Sequence, residues 1–184
     1  MHNMNVTTTC RDLNELTEQA QKACSLFLEE CKSQGLNILV TETYRSQERQ
    51  NYLYEQGRTR PGKVVTWTKS SRHTSRMAWD VCKNVKGHEY DDAGFFRKCG
   101  EIAVRLGITW GGNWDSPDTP HFEIDKSWKP PMDIIKINLN GTVKEVEAIN
   151  KNGHNYVKLQ DLRDNYIEIG YDKMPIVKVK RGEL

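Results

Sequence analysis

Near the start of the chain, hydrophobic residues recur with a period of about 3.6 residues. Apolar residues recur at this spacing from Leu13 to Cys31, so the pattern predicts one amphipathic helix over residues 10–34. Thr9 followed by Asp12 gives a capping signal near its start, and Gly35 is typical of the position that follows a helix. The first element is therefore expected to be a long helix with one buried face.

The pattern then changes to an extended stretch followed by a second helix. Residues 36–43 are rich in Ile, Leu, Val and Thr, which favours a β-strand. Ser46 is a typical N-cap for a helix over residues 47–56, and Gly57 follows that segment. Strand and helix are thus predicted to be separated by only a few residues.

Residues 58–71 are basic and show no sustained periodicity, which is typical of a long loop. Long loops inside compact domains often carry function. Two interpretations stay open: a solvated surface loop, or one wall of a cleft that faces a substrate. The cations of this loop are Arg58, Arg60, Lys63 and Lys69.

Two segments show the alternation of half-buried strands. In residues 77–83 the Met, Trp and Val side chains share one face, while Asp80 lies on the other and is expected to face a cleft. In residues 121–124 the polar side chains His121 and Glu123 share one face, and the apolar pair lies opposite. Both strands therefore offer a metal-type ligand on one side.

One more helix and one more strand are predicted between these two segments. Asp92 is a suitable N-cap for an amphipathic helix that Gly107 ends. Residues 108–110 then begin another strand.

A proline-containing stretch, residues 128–134, is predicted to be a linker. It separates a domain over residues 1–127 from residues 135–184, where short alternating runs and Asn-Gly pairs predict a small β-rich module. Residues 159–166 are predicted to form one short helix within it. A module of this size gains stability from docking or self-association.

Composition excludes several classes of protein. The chain has 184 residues, a net charge of +2 and 28% charged residues, which is typical of a globular protein without a bias toward nucleic acid. Its apolar runs are far shorter than the roughly 20 residues that span a bilayer, and its start lacks a signal peptide pattern. We therefore expect neither nucleic acid nor membrane as a partner. Five cysteines without a CxxC pair are expected to be small buried residues.

Three separated residues carry the ligand types of an open zinc site. His73, Asp80 and His121 would supply two nitrogens and one oxygen, which leaves the fourth position of a tetrahedral zinc for water. Asp118 can approach such a metal without binding it and would accept a proton from the attacking water. Glu123 is the competing base, although its place along the strand favours a contact with a histidine.

Arg45 lies where a predicted strand ends, a common place for a side chain that reaches into a cleft. Its guanidinium could hold a developing oxyanion or a substrate carboxylate. The alternative is an ordinary surface arginine, because most arginines are exposed.

The predicted fold class is α+β. A small antiparallel sheet with helices packed on one side carries the zinc cleft, and the β-rich C-terminal module follows it.

Three ordered motifs carry a resemblance to a known family. They are Thr43-Tyr44-Arg45-Ser46-Gln47, Ser71-x-His73-x-x-x-x-Ala78-x-Asp80 and Asp118-x-x-His121-Phe122-Glu123. In this order they resemble the D-alanyl-D-alanine carboxypeptidase and dipeptidase superfamily, and within it the L-alanyl-D-glutamate peptidases found among phage endolysins. The likeness spans residues 36–125.

This resemblance implies a zinc-dependent endopeptidase that hydrolyses the L-Ala–D-Glu bond in the stem peptide of bacterial peptidoglycan. The family pattern places the metal ligands at His73, Asp80 and His121, the catalytic acid or base at Asp118, the transition-state arginine at Arg45 and a supporting serine at Ser71. One position departs from the pattern, because Arg76 stands where the family commonly has glycine. Since glycine permits positive φ, Arg76 is expected to reshape the pocket or to contact an acidic substrate.

The C-terminal stretch from Gly153 to Asp172 is similar to small domains of copper amine oxidases and of bacterial cell-surface proteins. In an endolysin such a module implies attachment to the cell wall, and a purely structural extension is the alternative. By the same resemblance, the protein would be made in the host cytoplasm without a signal peptide and would act on the wall after release.

Two other functions stay open. One is a D-Ala-D-Ala carboxypeptidase. The other is a wall-binding protein on the same fold that does not hydrolyse peptides, and the presence of Asp118 and Arg45 argues against it.

Overall fold

The computed structural model describes residues 6–139, 141–151, 154–163, 167–172 and 174–179. The chain divides into two compact units, Met1–Pro130 and Pro131–Leu184. The division falls inside residues 128–134, the stretch that the sequence analysis treats as a linker.

The N-terminal unit combines helices with one antiparallel sheet. The helices are α1 (Glu18–Ser33), α2 (Gln47–Glu55) and α3 (Ala93–Arg105), and the strands are β1 (Ile38–Glu42), β2 (Ala78–Lys83), β3 (Thr109–Trp110) and β4 (His121–Glu123). The strand order is β1-β2-β4-β3, and all three pairings are antiparallel. The mixture of helices and antiparallel sheet confirms the predicted α+β class.

The first helix begins later than the periodicity predicts. Asp12 caps only a 3-10 turn, Leu13–Glu15, and the α-helix starts after Thr17. The Thr17 hydroxyl accepts a hydrogen bond from the backbone N–H of Ala20 at 3.3 Å. The prediction of one helix over residues 10–34 was wrong at its start, because a second capping residue competes with the first and interrupts the apolar pattern.

The other two helices begin at the predicted caps. The Ser46 hydroxyl accepts from the backbone N–H of Arg49 at 3.2 Å, and Asp92 accepts from that of Phe95 at 2.9 Å. The left-handed φ of +69° at Gly107 follows α3, in agreement with the predicted glycine stop.

The core lies between the helices and one face of the sheet. The Phe27 ring of α1 lies 4.6 Å from the Phe122 ring and 6.2 Å from the Trp79 ring, centroid to centroid. All three side chains are fully buried. Because neighbouring side chains of a strand alternate between faces, Asp80 and His121 are directed to the opposite face.

The cysteines of this unit are free thiols. Four of the five are buried, as expected, and Cys10 is partly exposed. No helix in the described part of the chain is long and apolar enough to cross a bilayer.

The C-terminal unit is built from hairpins. One sheet contains β5 (Asp133–Leu139), β6 (Thr142–Lys151) and β7 (His154–Val157), and a separate pair contains β8 (Ile167–Asp172) and β9 (Met174–Val179). The predicted helix over residues 159–166 is only a 3-10 turn, Leu159–Leu162, because Arg163 has extended backbone angles. Residues 164–166 lie outside the described part.

Candidate metal centre

Strand pairing brings two of the predicted ligands together. Asp80 on β2 pairs with His121 on β4, so the two residues are direct cross-strand neighbours. Asp80 Oδ1 lies 3.1 Å from His121 Nδ1. Their common face follows from the period-two pattern of both strands.

The third predicted ligand comes from the loop before β2. His73 is almost completely buried, and its Nε2 lies 3.1 Å from Asp80 Oδ1 and 3.2 Å from His121 Nδ1. The Ser71 hydroxyl accepts from the backbone N–H of His73 at 3.3 Å, and the His73 carbonyl accepts from the N–H of Arg45 at 3.3 Å. Ser71 thus supports the turn that carries the histidine.

The outer nitrogen of each histidine has its own acceptor. His73 Nδ1 donates to the carbonyl of Thr43 at 2.6 Å, and His121 Nε2 donates to Glu123 Oε2 at 3.0 Å. These two hydrogen bonds keep a proton on the outer nitrogens, so the inner nitrogens are the ones that would present lone pairs to a metal ion.

The three inner atoms have the spacing of a metal tripod. They form a nearly equilateral triangle with edges of 3.1, 3.1 and 3.2 Å. Ligand atoms about 2.0–2.1 Å from a tetrahedral zinc lie about 3.3 Å from one another. His73, Asp80 and His121 are therefore a group that could hold a metal ion, and their donor set fits zinc.

The charges of the three side chains are coupled. Burial on its own would raise the pKa of Asp80, but the neighbouring His73 and hydrogen bonds from both histidines hold that pKa well below its ordinary range. Burial on its own would lower the pKa of His121, but hydrogen bonds to Asp80 and Glu123 raise it from 6.5 to about 9. A metal that binds at neutral pH must therefore displace a proton from His121.

Asp118 lies beside this group. Its carbonyl accepts from the backbone N–H of His121 at 3.1 Å. Partial burial and the negative charge of Asp80 raise the pKa of the Asp118 carboxyl, while the histidines and Arg45 oppose that shift. The Asp118 carboxyl therefore lies within electrostatic range of the three candidate ligands.

A glycine supports the backbone at Asp118. A Cβ atom added at Gly111 would lie 2.6 Å from the Asp118 carbonyl oxygen, which is closer than van der Waals contact allows. The Gly-Gly turn after β3 therefore lets the Asp118 segment approach.

Arg45 is not an ordinary surface arginine. Its side chain is only 11% exposed, and its Nη2 lies 2.5 Å from Glu42 Oε2 and 3.5 Å from Asp80 Oδ2. Its Nη1 donates to the amide oxygen of Gln50 at 2.8 Å. The guanidinium is thus fixed at the edge of the candidate metal centre.

The residues that hold Arg45 were not among those predicted from the sequence. Glu42 is buried and accepts a second charged hydrogen bond from Arg49 Nε at 2.7 Å, and Gln50 is fully buried. A register irregularity between Val40 and Glu42 precedes this cluster. Its only signal in the sequence is an acidic residue at the end of a strand that otherwise consists of Ile, Leu, Val and Thr.

Arg76 keeps the backbone conformation that glycine favours, with a φ of +62°. Its guanidinium forms an ion pair with Glu15, donates to the Glu15 carbonyl at 2.8 Å and lies 3.8 Å from the Tyr44 ring centroid. In this structure the side chain therefore contacts the segment before α1.

Several known proteins are similar to this chain in sequence or in fold. A family model described as D-alanyl-D-alanine carboxypeptidase matches residues 65–124, which contain all three candidate ligands. The chain is 34% identical over 105 residues to the peptidoglycan L-alanyl-D-glutamate endopeptidase CwlK of Bacillus subtilis, and the match covers 50% of this chain and 63% of CwlK. The chain therefore spans less than two thirds of that relative.

A solved structure shares the fold. The L-Ala D-Glu endopeptidase ChiX of Serratia marcescens matches with a TM-score of 0.51 and 23% identity, over 64% of this chain and 89% of ChiX. These findings confirm the predicted resemblance to the D-alanyl-D-alanine carboxypeptidase superfamily of peptidases.

Proposed function

We propose that the protein is a zinc-dependent peptidoglycan endopeptidase that hydrolyses the L-Ala–D-Glu bond of the stem peptide. The observation that carries the proposal is the triangle of His73 Nε2, Asp80 Oδ1 and His121 Nδ1, three potential ligand atoms that converge while the outer nitrogens of both histidines have acceptors of their own. The similarity to CwlK, a peptidoglycan L-alanyl-D-glutamate endopeptidase, supports the choice of bond.

The three ligands set the charge of the site. When bound, zinc supplies a Lewis acid that polarises the scissile carbonyl and lowers the pKa of a water molecule. Because Asp80 contributes one negative charge and the histidines contribute none, a divalent ion keeps about one net positive charge for this chemistry.

Asp118 is assigned the proton transfer. It would accept the proton of the attacking water and then donate it to the leaving amine. Its raised pKa favours the first of these steps, because a carboxylate with a higher pKa is a stronger proton acceptor. Glu123 is less suited to this role, since its carboxylate already accepts from His121 Nε2 on the side away from the ligand atoms.

We assign Arg45 the role of binding negative charge on the substrate. Its guanidinium is held by Glu42 and Gln50, so it can stabilise a developing oxyanion or a carboxylate without first becoming ordered. Ser71 supports the turn that carries His73. Arg76 shapes the protein surface near Tyr44.

Release of new amino groups from purified peptidoglycan tests the proposed activity. The full-length protein should release them and Asp118→Ala should not, while both retain zinc. Equal release by both proteins would contradict the base assignment. No release by either would favour a wall-binding protein without hydrolytic activity.

Mass spectrometry of the products identifies which peptide bond is cleaved. New N-terminal D-Glu is expected from an L-Ala–D-Glu endopeptidase. Loss of terminal D-Ala alone would instead support a D-Ala-D-Ala carboxypeptidase.

We also propose that residues 135–184 attach the enzyme to the wall in the manner of an endolysin, because tethering raises the effective substrate concentration without new catalytic contacts. Co-sedimentation with purified walls tests this assignment. The Asp118→Ala protein should sediment, and the same protein ended at Pro130 should stay in solution.

A further inference from the structure

An exposed tryptophan stands in the most basic stretch of the chain. All six Lys, Arg, Asp and Glu residues between Glu55 and Asp80 are basic. Trp67 lies among them and is 77% exposed, although tryptophan is highly buried in most proteins. An exposed aromatic residue next to concentrated positive charge is typical of an interaction surface.

The loop holds this tryptophan in a stack of rings and cations. The Arg58 guanidinium lies 4.0 Å from the Tyr54 ring centroid and 5.4 Å from the Trp67 ring centroid. Arg58 also donates to the carbonyl of Thr66 at 3.2 Å, which fixes the guanidinium next to the indole. Lys69 Nζ lies 5.1 Å from the Tyr54 ring. We call Tyr54, Arg58, Trp67 and Lys69 the Trp67 surface.

Gln50 joins the Trp67 surface to the candidate metal centre. Its amide nitrogen donates to the carbonyl of Thr68 at 2.7 Å and to the hydroxyl of Thr66 at 3.3 Å. Its amide oxygen accepts from Arg45 Nη1 at 2.8 Å. Because the two threonines flank Trp67, one buried side chain positions both the backbone of Trp67 and the arginine beside Asp80.

The basic side chains of this stretch divide into two groups. Arg72 and Arg76 lie in ion pairs with Glu123 and Glu15. The Arg58 guanidinium, by contrast, contacts backbone carbonyls and aromatic rings. The loop cations therefore keep a positive potential over the Trp67 surface.

We propose that the Trp67 surface binds the glycan strand of peptidoglycan while the attached stem peptide reaches the metal centre. This inference rests on the proposed function. Amino-sugar rings present apolar C–H faces that can stack on an indole, and the carboxylates of the strand and its peptides complement the loop cations.

Continuity with the metal centre favours the substrate's own strand over a separate phosphate polymer of the wall. Trp67 lies only six residues before His73, and its two neighbours, Thr66 and Thr68, share Gln50 with Arg45. A polyanion would need cations alone, whereas a sugar ring also needs the exposed indole.

Binding of peptide-free glycan strands tests the proposal with the full-length protein. Such strands keep the sugar rings and their lactyl carboxylates but contain no peptide bond to cleave. Trp67→Ala should weaken binding at least about tenfold, as expected for an aromatic anchor. Trp67→Phe should retain most of the affinity, and Val65→Ala, at a neighbouring residue that is also exposed, should bind like the unmodified protein.

A poly(glycerol phosphate) chain is the second probe. Trp67-dependent binding of this polymer without binding of the glycan would overturn the proposal. Equal glycan binding by the unmodified protein and Trp67→Ala, or no glycan binding by either, would also overturn it. Failure of the proposed hydrolysis is seen separately, in the amino-group assay, because binding of peptide-free glycan requires no cleavage.

Discussion

Asp80 and His121 are direct partners in the antiparallel pairing of β2 and β4, and Asp80 Oδ1 lies 3.1 Å from His121 Nδ1. The pairing register therefore fixes the distance between two of the three candidate ligands. A shift of one residue would turn one of them to the apolar face, so the core packing of Trp79 and Phe122 also maintains the candidate metal centre.

Asp80→Asn should abolish stoichiometric zinc binding. The substitution keeps the shape of the side chain but removes the negative charge that balances the metal. Metal content of the purified protein, measured by mass spectrometry, should fall from about one zinc per chain to near zero. His88→Ala is the matched control, because this exposed histidine pairs only with Asp91 in the described part and should not affect zinc. Full zinc content in Asp80→Asn would contradict the ligand assignment.

Glu123→Gln should weaken zinc binding without abolishing it. The carboxylate accepts the outer proton of His121 at 3.0 Å and raises the basicity of the inner nitrogen. Loss of such a partner typically lowers metal affinity about 10- to 100-fold. Competition with a chromophoric chelator measures the change. An unchanged affinity would mean that the hydrogen bond does not orient the ligand.

The metal-free protein should lose stability as pH rises from 6.5 to 9. The pKa of His121 is raised from 6.5 to about 9 in the folded state. Its protonated form therefore stabilises the fold fully below pH 6.5, and this contribution disappears as pH rises through 9. The loss should be on the order of 3 kcal/mol. The lowered pKa of Asp80 acts only at acidic pH, so it does not alter this window.

Urea unfolding in the presence of a chelator measures this dependence. His121→Asn should remove the decrease, because the substituted side chain does not titrate. Because zinc must displace the proton of His121, zinc affinity should also rise with pH over this range, by about tenfold per pH unit where one proton is displaced. A flat stability profile for the metal-free protein would show that His121 is not held in its protonated form.

The elements that carry the site could be predicted because their signals are local. Alternation in two short strands placed Asp80 and His121 on one face, and the caps at Ser46 and Asp92 fixed two helix starts. These features depend on neighbouring residues only. The position of His73 in space was harder to predict from the sequence, because His73 lies in a loop without periodicity.

The remaining parts of the site depend on long-range contacts. Thr43 contributes a backbone carbonyl, which any residue type would supply, so the sequence contains no signal for its contact with His73. Glu42 acquires its role only when a strand irregularity brings it to Arg45 and Arg49. Such contacts appear only after the chain is packed.

Glu42→Gln should lower kcat while zinc content stays normal. The neutral amide cannot pair with Arg45 and Arg49 together, so the guanidinium beside Asp80 should lose its fixed position. Misplacement of a catalytic group by about 1 Å can cost about 100-fold in rate, so a decrease of 10- to 100-fold is expected. Glu42→Asp should recover part of the activity, and Glu101→Gln on the exposed face of α3 serves as the control. A change in KM alone would contradict a positioning role.

Arg76→Gly and Arg76→Ala should differ in stability, although both remove the same ion pair. Residue 76 has a φ of +62°, a conformation that costs an L-residue about 1–2 kcal/mol and costs glycine little. Both substitutions lose the contacts with Glu15 and Tyr44, but only glycine relieves the backbone. Arg76→Ala should therefore be less stable than Arg76→Gly by about 1 kcal/mol in urea unfolding. Equal stability of the two variants would mean that the backbone at residue 76 relaxes when the arginine is removed, and that the guanidinium contacts themselves hold the left-handed conformation.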